Sequence, residues 1–365
     1  MTNGSLRTLT LEITNYCLLN CMHCSSESSP RISKDLPLDT IEKVITDFAK
    51  LGGQTLEISG GEPLCRRDLP DIIKHSKQLN LETCLFSCGI FDSSQLETSS
   101  DGLREKVSEL KRLGIDKVSV TLHASNEKDH DAISRRNGSF RRTSLFVKEL
   151  MREGIPVGVH SVPVRPNFDD IDDLVSYCGG LHVNQVSLLR FVPQGRGKEY
   201  ADILTLDEEE ILRLAELLYE LQNKKDSLVH VGSHLDFGFV FDEKFEPQPC
   251  KAGKSKCLVT SQGKVFPCAA FKGREEFVAG NVNRDDLASI WTNSEVFKQL
   301  RQFDYRRLKG SCATCIHLSK CRGQCPAQRY YKWNKWYHKW RFKWDGLYRG
   351  PDPYCPKPEF DRPQS

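Results

Sequence analysis

The chain has 365 residues, 38% of them hydrophobic, and 52 Lys and Arg against 49 Asp and Glu leave a formal net charge of +3. A balance so near neutral gives no whole-protein field toward nucleic acid or an anionic membrane. No signal-peptide-like apolar segment and no run of about 18 apolar residues occurs, so a soluble, cytoplasmic protein without a transmembrane segment is expected. Fifteen cysteines, an odd number, make a complete disulfide framework awkward and metal ligation the better default.

In chain order, TLTLEIT (8–14), TLEISG (55–60), LETCLFS (81–87), KVSVTLH (117–123), PVGVHSV (156–162) and QVSLLRF (185–191) read as six strands separated by helical patterns. The first helix is expected to start at Asp39 with Glu42 completing a capping box. A later one is expected to start at Thr205 with Glu208, and it places Ile211, Leu214, Ala215, Leu218 and Leu221 on one face. Repeated strand and helix units imply an α/β fold with a parallel sheet closed or partly closed into a barrel. Such folds place chemistry on loops at strand C-terminal ends, and Cys17, Cys21 and Cys24 follow the first strand. The alternation stops near residue 245, where Cys, Gly and Pro rise. The barrel core is placed at 1–230 and a small cysteine-rich domain at 231–365.

Three thiols spaced C-x3-C-x2-C can converge on one small inorganic object. Zinc, completed by His23 or a distant residue, is one reading. A four-iron cluster is the other: closed clusters take four thiolates, so three leave one iron open to a substrate or cofactor. Gly60 and Gly61 end the second strand, where backbone must approach a ligand or take a positive φ. The cysteine spacing and "SGGEP" at 59–63 together resemble the signature of the radical S-adenosylmethionine enzymes. The resemblance implies a partial (βα)6 TIM-like barrel, S-adenosylmethionine chelating the open iron, and its reductive cleavage to a 5′-deoxyadenosyl radical that abstracts a hydrogen atom. It also implies that Gly60 and Gly61 present main chain to the methionine amine, that Glu62 adds a contact there, and that His23 lies beside the adenine. "VSVTLHASNEKDHDAISRRNGSF" resembles the fourth strand and loop of the peptide-modifying branch, where Thr121 and Arg135, preferred to Arg136, would hold the carboxylate. "RFVPQGRG" at 190–197 resembles the segment along the adenosine, which implicates Arg190 and Val192. A solvated rim is the alternative for its arginines.

Cys250 precedes Gly263 by twelve intervening residues; Cys268, Cys312-x2-Cys315-x5-Cys321-x3-Cys325 and Cys355 follow, accompanied by "CKAG", "GKVFPC" and "DPYC". This string resembles the SPASM extension of the same family, and Cys257 adds an eighth thiol. The family pattern then implies auxiliary cluster I on Cys250, Cys257, Cys268 and Cys325, and auxiliary cluster II on Cys312, Cys315, Cys321 and Cys355. That makes three [4Fe-4S] clusters in all, with loading coupled to folding. One or two zinc knuckles are the alternative. With four thiolates each, the auxiliary clusters would carry electrons or serve as scaffold. Of the remaining thiols, Cys88 in "LFSCG" is a candidate hydrogen-atom donor, with a small buried hydrophobe as the plainer reading. Cys84 and Cys178 read as core, and Cys65 has no assigned role. "RYYKWNKWYHKWRFKW" at 329–344, as a helix, stripes Tyr330, Trp333, Tyr337, Trp340 and Trp344 opposite lysines. Packing over the auxiliary clusters, docking of an acidic partner and a membrane-surface helix are its readings.

The resemblance points to maturation of a ribosomally made peptide or protein, with an external electron donor of flavodoxin or ferredoxin type. Sixteen residues precede Cys17, too few for a winged-helix leader-binding domain, so either a separate leader-binding protein or a small substrate is expected. Dehydrogenation, epimerisation or decarboxylation of a sugar or other metabolite is the alternative reaction. A zinc-binding interaction module is the non-enzymatic one.

Overall fold

The computed structural model describes residues 4–32, 35–92, 101–232, 234–333 and 350–356. Seven parallel strands, β1 (Thr8–Thr14), β2 (Thr55–Gly60), β3 (Glu82–Ser87), β4 (Lys117–Thr121), β5 (Val157–Ser161), β6 (Gln185–Leu188) and β7 (Val229–Val231), lie side by side in chain order. The six expected strands all form, and β7 extends them. Sequential order with parallel pairing is the winding of a barrel. Among the described residues β1 pairs with β2 and β8 rather than with β7, so the barrel stays open.

The cysteine-rich segment occupies that free edge. β8 (Lys256–Val259) pairs parallel with β1, then β9 (Lys264–Phe266) and β10 (Gly280–Asn281) continue antiparallel. The register sets Leu9 opposite Cys257 and Thr10 opposite Leu258. Across the same junction the Lys272 ammonium pairs with the Glu12 carboxylate of β1, both buried, and donates to Ser26 at 2.6 Å. Trp291 Nε1 donates to the Gly4 carbonyl at 2.9 Å.

Helices cover the sheet, which is why its strands read as continuous apolar runs. Helix Leu38–Lys50 buries Ile41, Val44, Ile45 and Phe48 against the core that holds Leu9, Leu11 and Ile13. Its start differs from the expected Asp39 box: Pro37 is the N-cap, and Asp39 accepts from the N–H and the hydroxyl of the adjacent Thr40, at 2.6 and 3.3 Å. Helix Glu208–Asn223 buries the expected Ile211, Leu214, Ala215, Leu218 and Leu221. Its capping box is formed by Asp207 and Glu210 rather than Thr205 and Glu208. Asp207 outcompetes Thr205 because an anionic cap also meets the positive end of the helix dipole. Among the described residues no helix is long and apolar enough to cross a membrane.

Candidate active site

The loop after β1 is held from two directions. Asn20 and Met22 donate backbone N–H groups to the carbonyls of Ser134 and Ile133, at 3.2 and 2.9 Å. From the loop after β6, Arg196 donates to the carbonyls of Cys21 at 2.9 Å and Ser28 at 2.6 Å, and its own N–H reaches the Cys24 carbonyl at 3.0 Å. So fixed, Cys17, Cys21 and Cys24 come within electrostatic range of one another. Burial, then Cys17 and Cys24, push the Cys21 thiol well above its ordinary value, against the opposing Arg196. Three thiols brought together on one loop are a donor set that fits a thiolate-ligated iron core. Among the described residues no group of three or more His, Cys, Asp and Glu side chains closes tightly enough to hold a single metal ion. All fifteen cysteines are free thiols.

Beside this loop β2 ends in Gly60, at φ 147°, and Gly61. A Cβ at Gly60 would stand 2.3 Å from the Thr14 carbonyl oxygen, and one at Gly61 2.1 Å from that of Tyr16, so neither position admits a side chain. The expected ligand approach is here an approach of backbone to backbone: Gly61 and Glu62 N–H groups bond Thr14 and Tyr16 carbonyls at 2.7 and 2.8 Å. Glu62 is fully buried and differs from the amine contact expected of it. Its carboxylate accepts from Leu64 N–H (3.0 Å), Ser87 Oγ (2.7 Å), Cys88 N–H (2.8 Å) and Cys88 Sγ (2.8 Å). It therefore ties β2 to the end of β3. Burial pushes its carboxyl above the usual range. The Cys88 thiol lies against Cys17 as well, and is raised first by a hydrogen bond with Cys17, then by burial and by Glu62. Cys84 and Cys178 are buried as expected.

Thr121, at the end of β4, hydrogen-bonds His160 Nε2 at 2.6 Å. His160 belongs to a group of imidazoles that motif reading passed over. His23 packs edge-on against His123, their ring centroids 4.7 Å apart, and His123 lies 4.9 Å from His130. Burial lowers His23, His130 and His160 to about 4 and holds His123 well below its ordinary value. Nδ1 of His23 and of His160 and Nε2 of His130 are buried without a hydrogen-bond partner. Arg135, by contrast, is exposed in a left-handed C-cap (φ 58°), and its guanidinium binds Tyr200 Oη at 2.8 Å. The structure does not bring it to Thr121.

The segment 190–197 carries two buried arginines, not a solvated rim. Arg196 is the clamp just described. Arg190 forms an ion pair with Asp352, donates to Gln328 Oε1 at 2.9 Å and the His234 carbonyl at 3.1 Å, and stacks 4.1 Å from the Tyr354 ring centroid. It therefore joins the barrel to the "DPYC" segment, and its side chain is committed there rather than to a nucleoside. Val192 is half-buried, and its carbonyl accepts from Gln194 N–H at 2.8 Å.

In the cysteine-rich domain Cys312, Cys315, Cys321 and Cys355 gather: the thiols of Cys312 and Cys321, raised by burial to about 11 and 12, each feel the other members. Cys250, Cys268 and Cys325 form a second group around an apolar cluster of Leu258, Phe266, Phe271 and Phe277. Cys257 is not with them. It lies in the main core beside Leu9, on the face of β8 opposite Leu258, because successive strand residues point to opposite sides. His234 takes up the neighbouring space, lining one cavity with Cys250. Burial raises the Cys250 thiol, and His234 outweighs it to bring the thiol below its ordinary value. Two residues that cysteine spacing could not reveal organise both groups. Asp352 accepts Cys325 N–H at 2.8 Å and Tyr354 N–H at 2.8 Å. Arg329, fully buried, has Cys312, Cys325 and Cys321 around its guanidinium. Tyr330 packs on Phe277 in the same cluster, while residues 334–344 of the aromatic stretch lie outside the described residues.

A barrel whose first loop converges three thiols, next to a glycine pair that closes β2, defines a radical S-adenosylmethionine protein; residues 11–178 match the family model of the Radical SAM superfamily. The chain carries a domain of that superfamily. Residues 250–316 match the SPASM model, an iron-sulfur cluster-binding domain, so it is a radical S-adenosylmethionine enzyme of the SPASM-bearing kind. Among curated relatives, the AdoMet-dependent heme synthase of Methanosarcina barkeri is 27% identical, over 97% of this chain and 97% of the relative. The mycofactocin maturase MftC of Mycolicibacterium smegmatis is 27% identical, over 95% of this chain and 82% of the relative. In fold the chain matches SuiB of Streptococcus suis, solved with S-adenosylmethionine, at a TM-score of 0.72 and 20% identity, over 96% of this chain and 77% of that one.

Proposed function

We propose that the enzyme modifies a ribosomally synthesised peptide or protein by hydrogen-atom abstraction. The observation that supports this most is the convergence of Cys17, Cys21 and Cys24 on a loop clamped by Arg196, in a chain similar along its length to a peptide maturase. When bound there, an iron-sulfur cluster and S-adenosylmethionine would supply the electron and the 5′-deoxyadenosyl radical. The chain's own residues position and enclose. Arg196 fixes the loop carbonyls, and Gly60 and Gly61 let β2 close against Thr14 and Tyr16. His23, His123 and His160, neutral at pH 7, present an uncharged polar lining suited to a nucleoside and excluding bulk water. Thr121 with His160 is the hydroxyl-imidazole pair we assign to the methionine carboxylate side. Cys88 would return a hydrogen atom in an epimerising variant of the reaction. We take 1–230 as the barrel core and 231–365 as the domain of two auxiliary clusters, three clusters in all, working in the cytoplasm with a flavodoxin or ferredoxin type donor and a separate leader-binding protein.

A second reading has its own support: the heme synthase relative aligns over 97% of both chains, which favours a small, haem-related substrate. One experiment separates the two. Reconstituted enzyme, S-adenosylmethionine and reductant are given either a deuterated precursor peptide encoded beside the gene or a deuterated porphyrin. Deuterium in 5′-deoxyadenosine from the peptide supports the proposal; label only from the porphyrin overturns it.

A further inference from the structure

Eight thiols would close two four-iron clusters, yet the fold delivers only seven to the two auxiliary sites. Strand parity decides this. Leu258 points into the apolar cluster around Cys250, Cys268 and Cys325, so Cys257, one residue earlier on β8, points to the other face and is buried in the main core opposite Leu9. Reversing it would require a one-residue slip of β8 against β1, which would turn Val259 out of the core as well. The space beside Cys250 belongs instead to His234, which lines a cavity with Cys250 and Gln324. Its position is fixed by the node that also fixes Cys325: Arg190 donates to the His234 carbonyl and pairs with Asp352, and Asp352 accepts Cys325 N–H.

We infer that auxiliary site I is a three-thiolate, one-imidazole site, with Cys250, Cys268, Cys325 and His234 as its ligands and Cys257 a core residue that does not meet iron. The inference rests on the iron-sulfur reading of this domain. Imidazole is an established iron donor in iron-sulfur centres, and as a neutral ligand in place of an anionic thiolate it raises the reduction potential. Site I would then accept electrons more readily than the all-thiolate site II beside it, which orders the two sites for electron flow.

The test uses the full chain with Cys17, Cys21 and Cys24 changed to Ala, loaded anaerobically with iron and sulfide and reduced with dithionite, so that only auxiliary signals remain. Cys257→Val and Cys257→Ala, neither able to ligate iron, are expected to keep the parent's iron, sulfide and electron paramagnetic resonance spectrum, whereas Cys268→Ala loses about half of the iron. Pulsed resonance of the parent is expected to show a nitrogen coupling that His234→Leu abolishes and the Cys257 variants retain. Loss of a cluster's worth of iron from Cys257 variants whose circular dichroism is native, or a parent spectrum without nitrogen coupling, overturns the inference. Zinc in place of iron in the parent overturns the iron-sulfur reading itself.

Discussion

Arg190 and Asp352 are both sealed from solvent, and each has its partner supplied from a distant part of the chain. Removing one member of such a pair leaves a buried charge and costs about 3–5 kcal/mol. Arg190→Leu should therefore lower the urea midpoint of the apoprotein by a corresponding amount and release auxiliary iron, since Asp352 also holds Cys325. Unchanged stability would contradict the clamp. Glu62 invites a similar test. A group serving only to contact a ligand could become Gln without effect on the free protein. Glu62→Gln, however, turns an amide NH2 toward donors from Ser87 and Cys88 and should cost about 1–3 kcal/mol in a thermal melt without S-adenosylmethionine. The SGGEP string identified the place, but Glu62's partners come from the next strand, and no local motif encodes them.

At the scale of elements, the imidazoles around Thr121 give the barrel a pH signature. His130 and His160 are depressed by burial from 6.5 to about 4, so the fold favours their neutral forms. The stability they contribute is complete above pH 6.5 and is lost as pH falls toward 4. Unfolding free energies from urea titrations at pH 7 and pH 5 should differ by on the order of a few kcal/mol, and His160→Phe should flatten the profile; a free energy independent of pH over that window would contradict it. These histidines were invisible to motif reading because His23 comes from the loop after β1, His123 from just beyond β4, His130 from a helix and His160 from β5, and they meet only in the folded barrel. The strands were legible because apolar, β-branched runs alternate with helical periods. The helix start at Asp207 was missed because Thr205 offers equivalent capping chemistry two residues earlier. The parity of β8, which separates Cys257 from its supposed partners, was within reach of the strand pattern, but counting thiols to eight overrode it.

Across the whole molecule, the cysteine-rich domain is built onto the barrel rather than tethered to it: β8 completes the edge at β1, and Lys272 reaches from that domain to Glu12 and Ser26 beside the first cysteine loop. Motif spacing revealed both parts of the chain but not this seam, because pairing of Thr8 with Lys256, 248 residues on, leaves no local trace. Arg329 places one buried positive charge among thiols of both auxiliary groups. Arg329→Met should therefore make both auxiliary reduction potentials more negative in a redox titration, and an unchanged pair of potentials would show that the guanidinium does not sense the clusters. The most direct measurement on the enzyme itself is S-adenosylmethionine cleavage by anaerobically reconstituted protein with dithionite, read as 5′-deoxyadenosine by mass spectrometry. The account predicts 5′-deoxyadenosine from the wild-type chain and none from Cys24→Ala with its auxiliary iron intact. A fully iron-loaded wild type that forms none, or a Cys24→Ala variant that still does, would contradict it.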